Sequence, residues 1–224
     1  MQPIAKTAKR GAKGIAAAGG AFAIVLFARA ITAVRGIFDG IKPDATQRIY
    51  FANHASHGDF VLIWTVLPPR VRAHTRPVAA ADYWLASGLR RFIGCDVFNA
   101  VLIERDASQR TVDPVDQMAD ALDGGASLIV FPEGTRNTTD AAFLSFKSGL
   151  FHLACARPAV ELVPVWIENL NRVMPKGGIV PIPLICTVTF GAPIHCDGEG
   201  KDAFLNRARA ALLSLAPRTE RPGP

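Results

Sequence analysis

The sequence contains few cysteines, and the four that it has are not spaced as a metal or redox motif. Cys95, Cys155, Cys186 and Cys196 form no CxxC pair, and each lies in or beside an apolar stretch. Disulfide frameworks and zinc sites both depend on recurrent, closely spaced cysteines. We therefore expect reduced, mostly buried thiols, a cytosolic redox environment and no metal cofactor.

The sequence also lacks a GxSxG motif and any internal repeat. The first absence removes the serine nucleophile of α/β-hydrolases, and the second indicates a single domain instead of a repeat array. A chain of 224 residues that is 50% hydrophobic can bury one sizeable core. We expect one catalytic domain with at most a small appendage.

Acidic residues are scarce at the amino terminus, where the first 48 residues contain two. The same stretch holds eight basic residues, so residues 49–224 carry 17 of each sign and the whole net charge of +6 lies at the N-terminus. A nucleic-acid binder more often spreads basic and aromatic side chains over a folded surface. Basic residues beside an apolar segment instead favour an anionic membrane surface, with no nucleic-acid partner.

The apolar segment Gly14–Ala28 carries no charge and is compatible with four structures. Its flanks resemble those of a signal peptide with a cleavage site at Ala28-Arg29-Ala30. The second possible structure is a single membrane span. As a helix this segment would be only about 22 Å long, whereas the lipid core is roughly 30 Å thick. Extension of the helix to Val34 would make it long enough but would place Arg29 within the lipid. In the third structure, the segment packs on its own domain.

We favour a fourth structure, a pair of helices lying in the membrane interface and separated at Gly19-Gly20. The first helix would place basic side chains on one face, and the second would set Arg29, Thr32, Arg35 and Gly36 opposite an apolar face. The basic side chains are Lys6, Lys9, Arg10 and Lys13, and the apolar ones are Phe27, Ile31, Val34 and Phe38.

Beyond residue 45, short apolar runs alternate with helical patterns, which predicts an α/β domain with a single mixed sheet covered by helices on both faces. We predict residues 1–44 as a membrane-associating N-terminal helical segment, 45–216 as the α/β domain and 217–224 as a disordered tail. The predicted strands are Arg48–Ala52, Arg76–Ala80, Asn99–Ile103, Ser127–Phe131, Ala159–Val165 and Leu184–Phe190. The predicted helices are Phe60–Leu67, Ala81–Ile93, Pro114–Leu122, Lys147–Ala156 and Lys201–Leu215.

His54 and Asp59 form an HxxxxD pattern where a strand-like apolar run gives way to a helix-like one. Such strand-to-helix turns often carry catalytic groups in α/β folds. An imidazole takes a proton near neutral pH, and a carboxylate on its other ring nitrogen fixes the tautomer and stabilises the imidazolium. His54 is therefore a candidate base and Asp59 its orienting acid, although a purely structural histidine explains this pattern alone equally well.

This pair needs a nucleophile, and the sequence supplies none beside it. Ser56 lies in the middle of the same turn, where its hydroxyl is better placed to bond local backbone, so we expect the substrate to bring the attacking hydroxyl. A metal site formed by His54, His57 and Asp59 is the alternative. Its spacing differs from that of metallo-hydrolases, and no further His/Cys cluster adds ligands.

A second turn, Pro132–Asn137, follows the predicted strand Ser127–Phe131. It combines glycine, a hydroxyl, backbone amides and Arg136, which are the groups that hold a phosphate. Arg105 likewise follows the predicted strand that ends at Ile103, although a surface ion pair is the simpler explanation of Arg105 alone. Together the two arginines suggest a dianionic head group beside one general base.

These stretches resemble the glycerolipid acyltransferase family, which includes the lysophosphatidic acid acyltransferases. Asn53–Asp59 fits the family's NHxSxxD motif, and Phe131–Arg136 matches its FPEGTR motif. Val163-Pro164-Val165 looks like a further motif, and Leu102–Arg105 looks like the end of another whose usual opening glycine is absent. Phe146–Phe151 is similar to the segment that follows FPEGTR. The resemblance covers residues 48–192 of the chain.

The resemblance implies that His54, oriented by Asp59, deprotonates the free hydroxyl of a lysophospholipid, with 1-acylglycerol 3-phosphate as the expected acceptor. This hydroxyl would attack the thioester of a co-substrate, acyl-CoA or acyl-carrier protein, without an acyl-enzyme and without any other cofactor. The implied phosphate-binding residues are Arg105, Glu133, Gly134, Thr135 and Arg136, and the implied supporting residues are Asn53, Ser56, Lys147 and Pro164.

The resemblance further implies membrane lipids as partners and a site on the cytoplasmic face of a bacterial inner or plasma membrane, because acyl thioesters are cytosolic. The alternatives are a hydrolase or transacylase, transfer to another acceptor such as an acylated amino acid lipid, and a non-catalytic membrane-binding module. Glu133 would either order its loop or contact the glycerol. Phe143, Leu144, Phe146 and Phe151 would either form a wall for an acyl chain or the membrane, or belong to the core.

Overall fold

A seven-stranded mixed sheet forms the centre of the computed structural model, which describes residues 4–56, 58–139, 141–168 and 186–217. The strand order is β1-β7-β6-β2-β5-β3-β4, and all neighbours pair in parallel except β6 and β7. The strands are β1 (Arg35–Phe38), β2 (Arg48–Ala52), β3 (Thr75–Ala80), β4 (Val101–Ile103), β5 (Ser127–Val130), β6 (Glu161–Glu168) and β7 (Thr187–Phe190).

Helices cover both faces of this sheet. The bounds are α1 (Ile4–Thr32), α2 (Asp59–Val66), α3 (Pro69–Arg72), α4 (Ala81–Leu85), α5 (Gly88–Arg91), a π-helical segment (Phe92–Val97), α6 (Pro114–Asp123), α7 (Gly149–Ala156) and α8 (Lys201–Ser214). The side chains along each central strand alternate between two apolar clusters. On β2, Ile49 and Phe51 join the cluster under α6, α7 and α8, while Tyr50 and Ala52 join the cluster under α2. Burial on both faces explains the continuous apolar runs of the sequence.

This architecture confirms the predicted class, a mixed sheet flanked by helices. The prediction missed β1, whose four residues carry an apolar pattern that also continues a helix, and whose pairing with β7 joins residues far apart in the chain. It also joined α4, α5 and the first two residues of the π-helical segment into one helix, Ala81–Ile93. The chain breaks there because the Ser87 hydroxyl accepts the Arg90 N–H at 3.3 Å and starts a new helix.

The N-terminal segment forms one continuous helix, α1, so the predicted interruption at Gly19-Gly20 is wrong. The predicted second helix is also wrong beyond Thr32, because Arg35, Gly36 and Phe38 lie in the strand β1. The docked face packs on α2 and the π-helical segment, and a Cβ on Gly20 would lie 3.2 Å from Val97 Cγ2. Within the described residues, one stretch, Lys13–Thr32, is long and apolar enough to cross a bilayer, and most of it is exposed.

The sheet begins at Arg35, inside the segment 1–44 that the sequence assigned to the membrane. Three other predictions fall partly or wholly outside the described residues, namely His57 as a ligand, the start of the strand Leu184–Phe190 and all but Pro217 of the tail. The expectation of mostly buried thiols is wrong for Cys155, which is exposed and has its sulfur 3.3 Å from the sulfur of Cys196.

Asn53 connects β2 to β6 at the point where β2 ends. Its buried carboxamide donates to the carbonyl of Ile167 at 3.0 Å and accepts the Ile167 N–H at 2.8 Å. Such a bidentate pair acts as a side-chain continuation of the ladder between the two strands. It therefore fixes the chain direction at the residue before His54.

We predict that Asn53→Ala lowers the free energy of unfolding by about 2–4 kcal/mol, because it leaves a buried N–H and a buried carbonyl without partners. Urea denaturation measures the effect. Asn206→Ala, at an exposed position of α8, is the matched control and should change stability by less than about 0.5 kcal/mol. Equal losses in the two variants would show that the Asn53 pair does not stabilise the strand end.

Candidate active site

The turn between β2 and α2 brings His54 and Asp59 together. Asp59 is the first residue of α2, and its carboxylate is 1% exposed. One of its oxygens, Oδ2, lies 2.8 Å from Nδ1 of His54. The arrangement is the one that the HxxxxD pattern predicts, with the acid in the first helical turn folding back toward the histidine.

Oδ2 of Asp59 also accepts two backbone hydrogen bonds, from Ala55 at 2.7 Å and Ser56 at 2.8 Å. Its other oxygen, Oδ1, is buried and has no hydrogen-bond partner among the described residues. A carboxylate beside Nδ1 favours the tautomer with hydrogen on that nitrogen. The turn therefore presents Nε2 as the nitrogen that can accept a proton.

The imidazole of His54 is held from a second direction by an aromatic ring. Its plane stacks on Phe131 with ring centroids 4.1 Å apart and an angle of 19° between the planes. The backbone of the same residue is fixed as well, because the His54 carbonyl accepts the N–H of Asn137 at 2.6 Å. Both contacts come from the loop after β5, so that loop positions the ring as well as the main chain of His54.

Glu133 links the two turns through a buried carboxylate that is 1% exposed. Its Oε1 accepts the N–H of His54 and its Oε2 accepts the N–H of Leu144, each at 2.7 Å. Burial raises the pKa of Glu133 above its ordinary value, and these two backbone hydrogen bonds oppose that rise. The prediction of Glu133 as a phosphate-binding residue is wrong, because both carboxylate oxygens hold backbone and the group is closed off from solvent.

The rest of the turn Pro132–Asn137 is largely exposed, and this part includes the basic residue Arg136. Gly134, Thr135 and Arg136 are all exposed, next to the end of β2. Gly134 has φ of +68°, a conformation that favours glycine, and a Cβ there would lie 3.3 Å from carbons of Lys147. Its N–H donates to the Phe131 carbonyl at 3.0 Å, so this amide is not available to a phosphate as the sequence suggested.

Arg105 follows β4 at the same sheet edge, with β3 between β4 and β5. Two strand intervals separate the starts of these loops, about 10 Å at the usual spacing. Arg105 is exposed, and its loop is ordered by Arg110, which donates to the carbonyls of Glu104 and Arg105 at 3.2 and 3.4 Å. The two predicted arginines therefore share an edge of the sheet, where each extends from its own loop.

The supporting residues take structural positions around this site. The Ser56 hydroxyl accepts the Gly58 N–H at 3.2 Å, which is the local backbone bond expected for it. Lys147 donates its backbone N–H to the Pro132 carbonyl at 2.7 Å, and its side chain is exposed. Pro164 is buried within β6 opposite Phe51, so it supports the sheet and does not line an open pocket.

The aromatic residues after the second turn belong to the core more than to a surface wall. Phe143, Phe146 and Phe151 are half-buried and pack against the cluster under α6, α7 and α8. The stacking of Phe131 on His54 and the hydrogen bond from Asn137 to the His54 carbonyl were not expected from the sequence. Both residues lie in the loop that follows β5, and this loop can be placed beside His54 only when β5 is known to pair with β2.

The fold and this site define the class of the protein. It is an α/β domain with a histidine–aspartate pair at the carboxyl edge of a mixed sheet and an arginine-bearing loop beside it. The family model described as Acyltransferase matches residues 40–168, more than half of the chain. The chain therefore belongs to the acyltransferase family, which confirms the resemblance inferred from its motifs.

Individual relatives agree with this assignment. A 1-acyl-sn-glycerol-3-phosphate acyltransferase of Cocos nucifera is 26% identical over 82% of this chain and 58% of its own length. A chloroplastic enzyme of the same name from Arabidopsis thaliana is 33% identical over 52% of this chain and 32% of its own length. The chain thus spans between a third and three-fifths of these relatives.

A solved structure shares the fold. The crystal structure of the 1-acyl-sn-glycerophosphate (LPA) acyltransferase PlsC from Thermotoga maritima aligns with a TM-score of 0.65 and 22% sequence identity. The alignment covers 87% of this chain and 77% of that one. At this identity, the similarity supports the fold of the domain.

We predict that Glu133→Gln removes a pH dependence of stability. The raised pKa of Glu133 means that the folded state keeps a proton that the unfolded state has already released, so stability falls as pH rises from about 4.5, the ordinary value, through the raised pKa. Unfolding free energies across this pH range, by urea denaturation, measure the slope. Glu104→Gln, at a half-buried carboxyl outside this pair of turns, is the control. An unchanged slope in Glu133→Gln would contradict the prediction.

Proposed function

We propose that this chain is an O-acyltransferase that moves an acyl group from a cytosolic thioester to the free hydroxyl of a lysophospholipid. The acceptor is 1-acylglycerol 3-phosphate, and the donor is acyl-CoA or acyl-carrier protein. The observation that carries the proposal is the 2.8 Å pair of His54 Nδ1 and Asp59 Oδ2, one strand away from the exposed Arg136 loop. The names of the relatives support the choice of acceptor.

In this mechanism, Nε2 of His54 takes the proton of the acceptor hydroxyl as its oxygen attacks the thioester carbon. The new carbon–oxygen bond forms while the carbon–sulfur bond breaks, and the leaving thiolate takes the proton back from His54. Asp59 stabilises the imidazolium that exists between these two steps. In this proposal the acyl group passes directly to the acceptor without an acyl-enzyme, since the Ser56 hydroxyl in the same turn bonds the Gly58 N–H.

The acceptor phosphate would pair with Arg136 and Arg105, whose guanidinium groups suit planar, bidentate recognition of phosphate. The exposed hydroxyl of Thr135 and the ammonium group of Lys147 extend from the same loop system. Holding the phosphate there fixes the distance of the glycerol hydroxyl from His54. Such positioning converts an encounter of two molecules into a reaction within one complex.

The N-terminal helix would hold the enzyme at the cytoplasmic face of a membrane. Ala28 and Thr32 are buried against the domain, and Gly20 contacts the π-helical segment, so this part of α1 is docked along the same stretch that could span a bilayer. If α1 spanned the bilayer, either the face of α1 that packs on the domain would have to separate from it, or the domain would have to enter the lipid. We therefore propose that α1 lies in the interface, which keeps the active site with the cytosolic donor.

We predict that His54→Ala lowers kcat/KM for acyl transfer by at least about a hundredfold, because it removes the general base. Asp59→Asn should lower kcat while leaving KM nearly unchanged, since its carboxylate acts on the imidazole. Transfer of radiolabelled acyl groups from acyl-CoA and from acyl-carrier protein measures both. His152→Ala, an exposed histidine of α7, is the control.

The outcomes of this assay separate the alternatives. Thioester loss without a lysolipid would indicate a hydrolase, and acyl exchange between phospholipids would indicate a transacylase. Normal turnover in His54→Ala would overturn the assignment of the base. Absence of turnover with every donor and acceptor, together with intact vesicle binding, would indicate a membrane-binding module.

We predict that Arg136→Ala raises KM for 1-acylglycerol 3-phosphate about ten- to a hundredfold, since a charge-assisted hydrogen bond contributes roughly 1.5–3 kcal/mol. Arg105→Ala should show a smaller rise. The same variants should not change KM for 1-acylglycerol, which lacks the phosphate. Arg70→Ala removes an exposed arginine of α3 and serves as the control. Equal effects on both acceptors would show that Arg136 does not bind the phosphate.

A further inference from the structure

A short stretch between β3 and the π-helical segment exposes apolar side chains at the edge of the sheet that carries His54. This segment, Ala81–Arg91, contains α4 and α5 and starts directly after the carboxyl end of β3. Leu85 is 50% exposed and Leu89 is 71% exposed, and Tyr83 is also exposed. These side chains have no role in the proposed reaction, and their exposure to water is unfavourable.

The segment is held firmly, so the exposure does not result from loose packing. Trp84 lies between the two exposed residues Tyr83 and Leu85 and packs edge-on against Phe60 of α2, with centroids 5.9 Å apart. The same indole lies so close to the π-helical segment that a Cβ on Gly94 would be 2.9 Å from it. One aromatic ring therefore anchors the segment while its neighbours face outward.

This segment adjoins the docked part of α1. Gly20 of α1 lies against Phe92, the residue that follows Arg91, with a Cβ on Gly20 placed 3.6 Å from the Phe92 ring. On α1, Ile15, Phe22 and Leu26 are exposed. The helix α1 and the segment Ala81–Arg91 thus both adjoin the π-helical segment, and both expose apolar side chains.

The charge beside these apolar side chains is mainly positive. Arg90 and Arg91 are exposed at the end of the segment, and the guanidinium of Arg90 lies 4.5 Å from the centre of the Tyr83 ring. Lys13 and Arg29 are exposed on α1, and the exposed acidic residues of the neighbourhood are Asp82 and Asp96. Arginine and tyrosine beside leucine suit the boundary between lipid head groups and acyl chains.

The geometry points to the segment Ala81–Arg91 as a second membrane-contacting element, with an anionic lipid bilayer as its partner. Leu85 and Leu89 enter the acyl boundary, and Arg90 and Arg91 pair with lipid phosphates. The edge of the sheet with His54 is thereby held against the bilayer at a second place, independently of α1. This inference goes beyond the proposed reaction, and it is tested without any substrate.

The test is binding to vesicles of phosphatidylcholine alone or mixed with phosphatidylglycerol, measured by sedimentation with increasing lipid. Leu85→Asp/Leu89→Asp in the full chain should lower the partition coefficient about tenfold or more on mixed vesicles, because two leucines no longer enter the bilayer. Arg90→Gln/Arg91→Gln should lower it about fivefold per arginine on mixed vesicles and hardly at all on neutral ones. The matched control is Ile37→Asp/Val112→Asp, at two exposed aliphatic positions of other elements.

A second measurement reports whether the segment itself enters the bilayer, because α1 alone can dominate the overall vesicle binding. Leu89→Cys, labelled with a polarity-sensitive fluorophore in a chain whose four native cysteines are alanine, should show a blue shift on mixed vesicles and quenching by spin-labelled acyl chains. A label that stays in water overturns the proposal, as does an equal loss of binding in the control. The proposal is also overturned if Leu85→Asp/Leu89→Asp leaves vesicle binding unchanged and alters only the oligomeric state, measured by light scattering. That result would show that the segment contacts a second copy of the chain.

Activity then separates this proposal from the proposed reaction. Leu85→Asp/Leu89→Asp should lower transfer to an acceptor embedded in vesicles and keep transfer to a short-chain, monomeric acceptor. Failure of both acceptors in the unmodified chain contradicts the proposed reaction and leaves the vesicle result standing. Normal vesicle activity in the leucine variant, with an unshifted label, contradicts the membrane contact alone.

Discussion

The site depends on two buried carboxylates that hold backbone. Asp59 and Glu133 each have 1% exposure, and between them they accept hydrogen bonds from four backbone N–H groups in addition to the imidazole contact. Burial of a carboxylate is costly unless hydrogen bonds replace its water, and here backbone donors to Oδ2 of Asp59 and to both oxygens of Glu133 replace part of it. The consequence is that His54 is fixed at both its ring and its main chain, before any substrate arrives.

The direction of the strands brings these groups together. Because β2 and β5 are parallel neighbours, their carboxyl ends lie side by side, and the turns that follow them can exchange hydrogen bonds. The reversed direction of β7 and β1 has a second effect. The amino end of β1 lies at the same edge, since Arg35 pairs with Thr187, which in turn pairs with Glu168 at the end of β6. The carboxyl end of α1 is therefore near the edge that carries His54.

The sequence allowed the local parts of this arrangement to be predicted and left the long-range parts open. His54 and Asp59 lie five residues apart, so a strand-to-helix turn suffices to bring them together, and six strands follow from apolar runs. Glu133 was ambiguous because its partners, His54 and Leu144, are identified by hydrogen bonds between two turns. β1 and the docked face of α1 were missed for a related reason, since the apolar pattern of residues 15–38 suits a helix in lipid as well as one packed on a domain.

Under the proposed function, docking of α1 on the domain also changes the physical account of how a lipid would reach His54. A free amphipathic helix would tether the domain to the membrane without fixing its orientation, because the linker could rotate. Here Ala28 and Thr32 are buried, and β1 joins the sheet only three residues after the helix ends. The helix axis and the sheet therefore move as one body, and a helix in the interface sets the angle of the whole domain to the bilayer. Under the proposed function, the fold itself orients His54 toward the leaflet that supplies the acceptor.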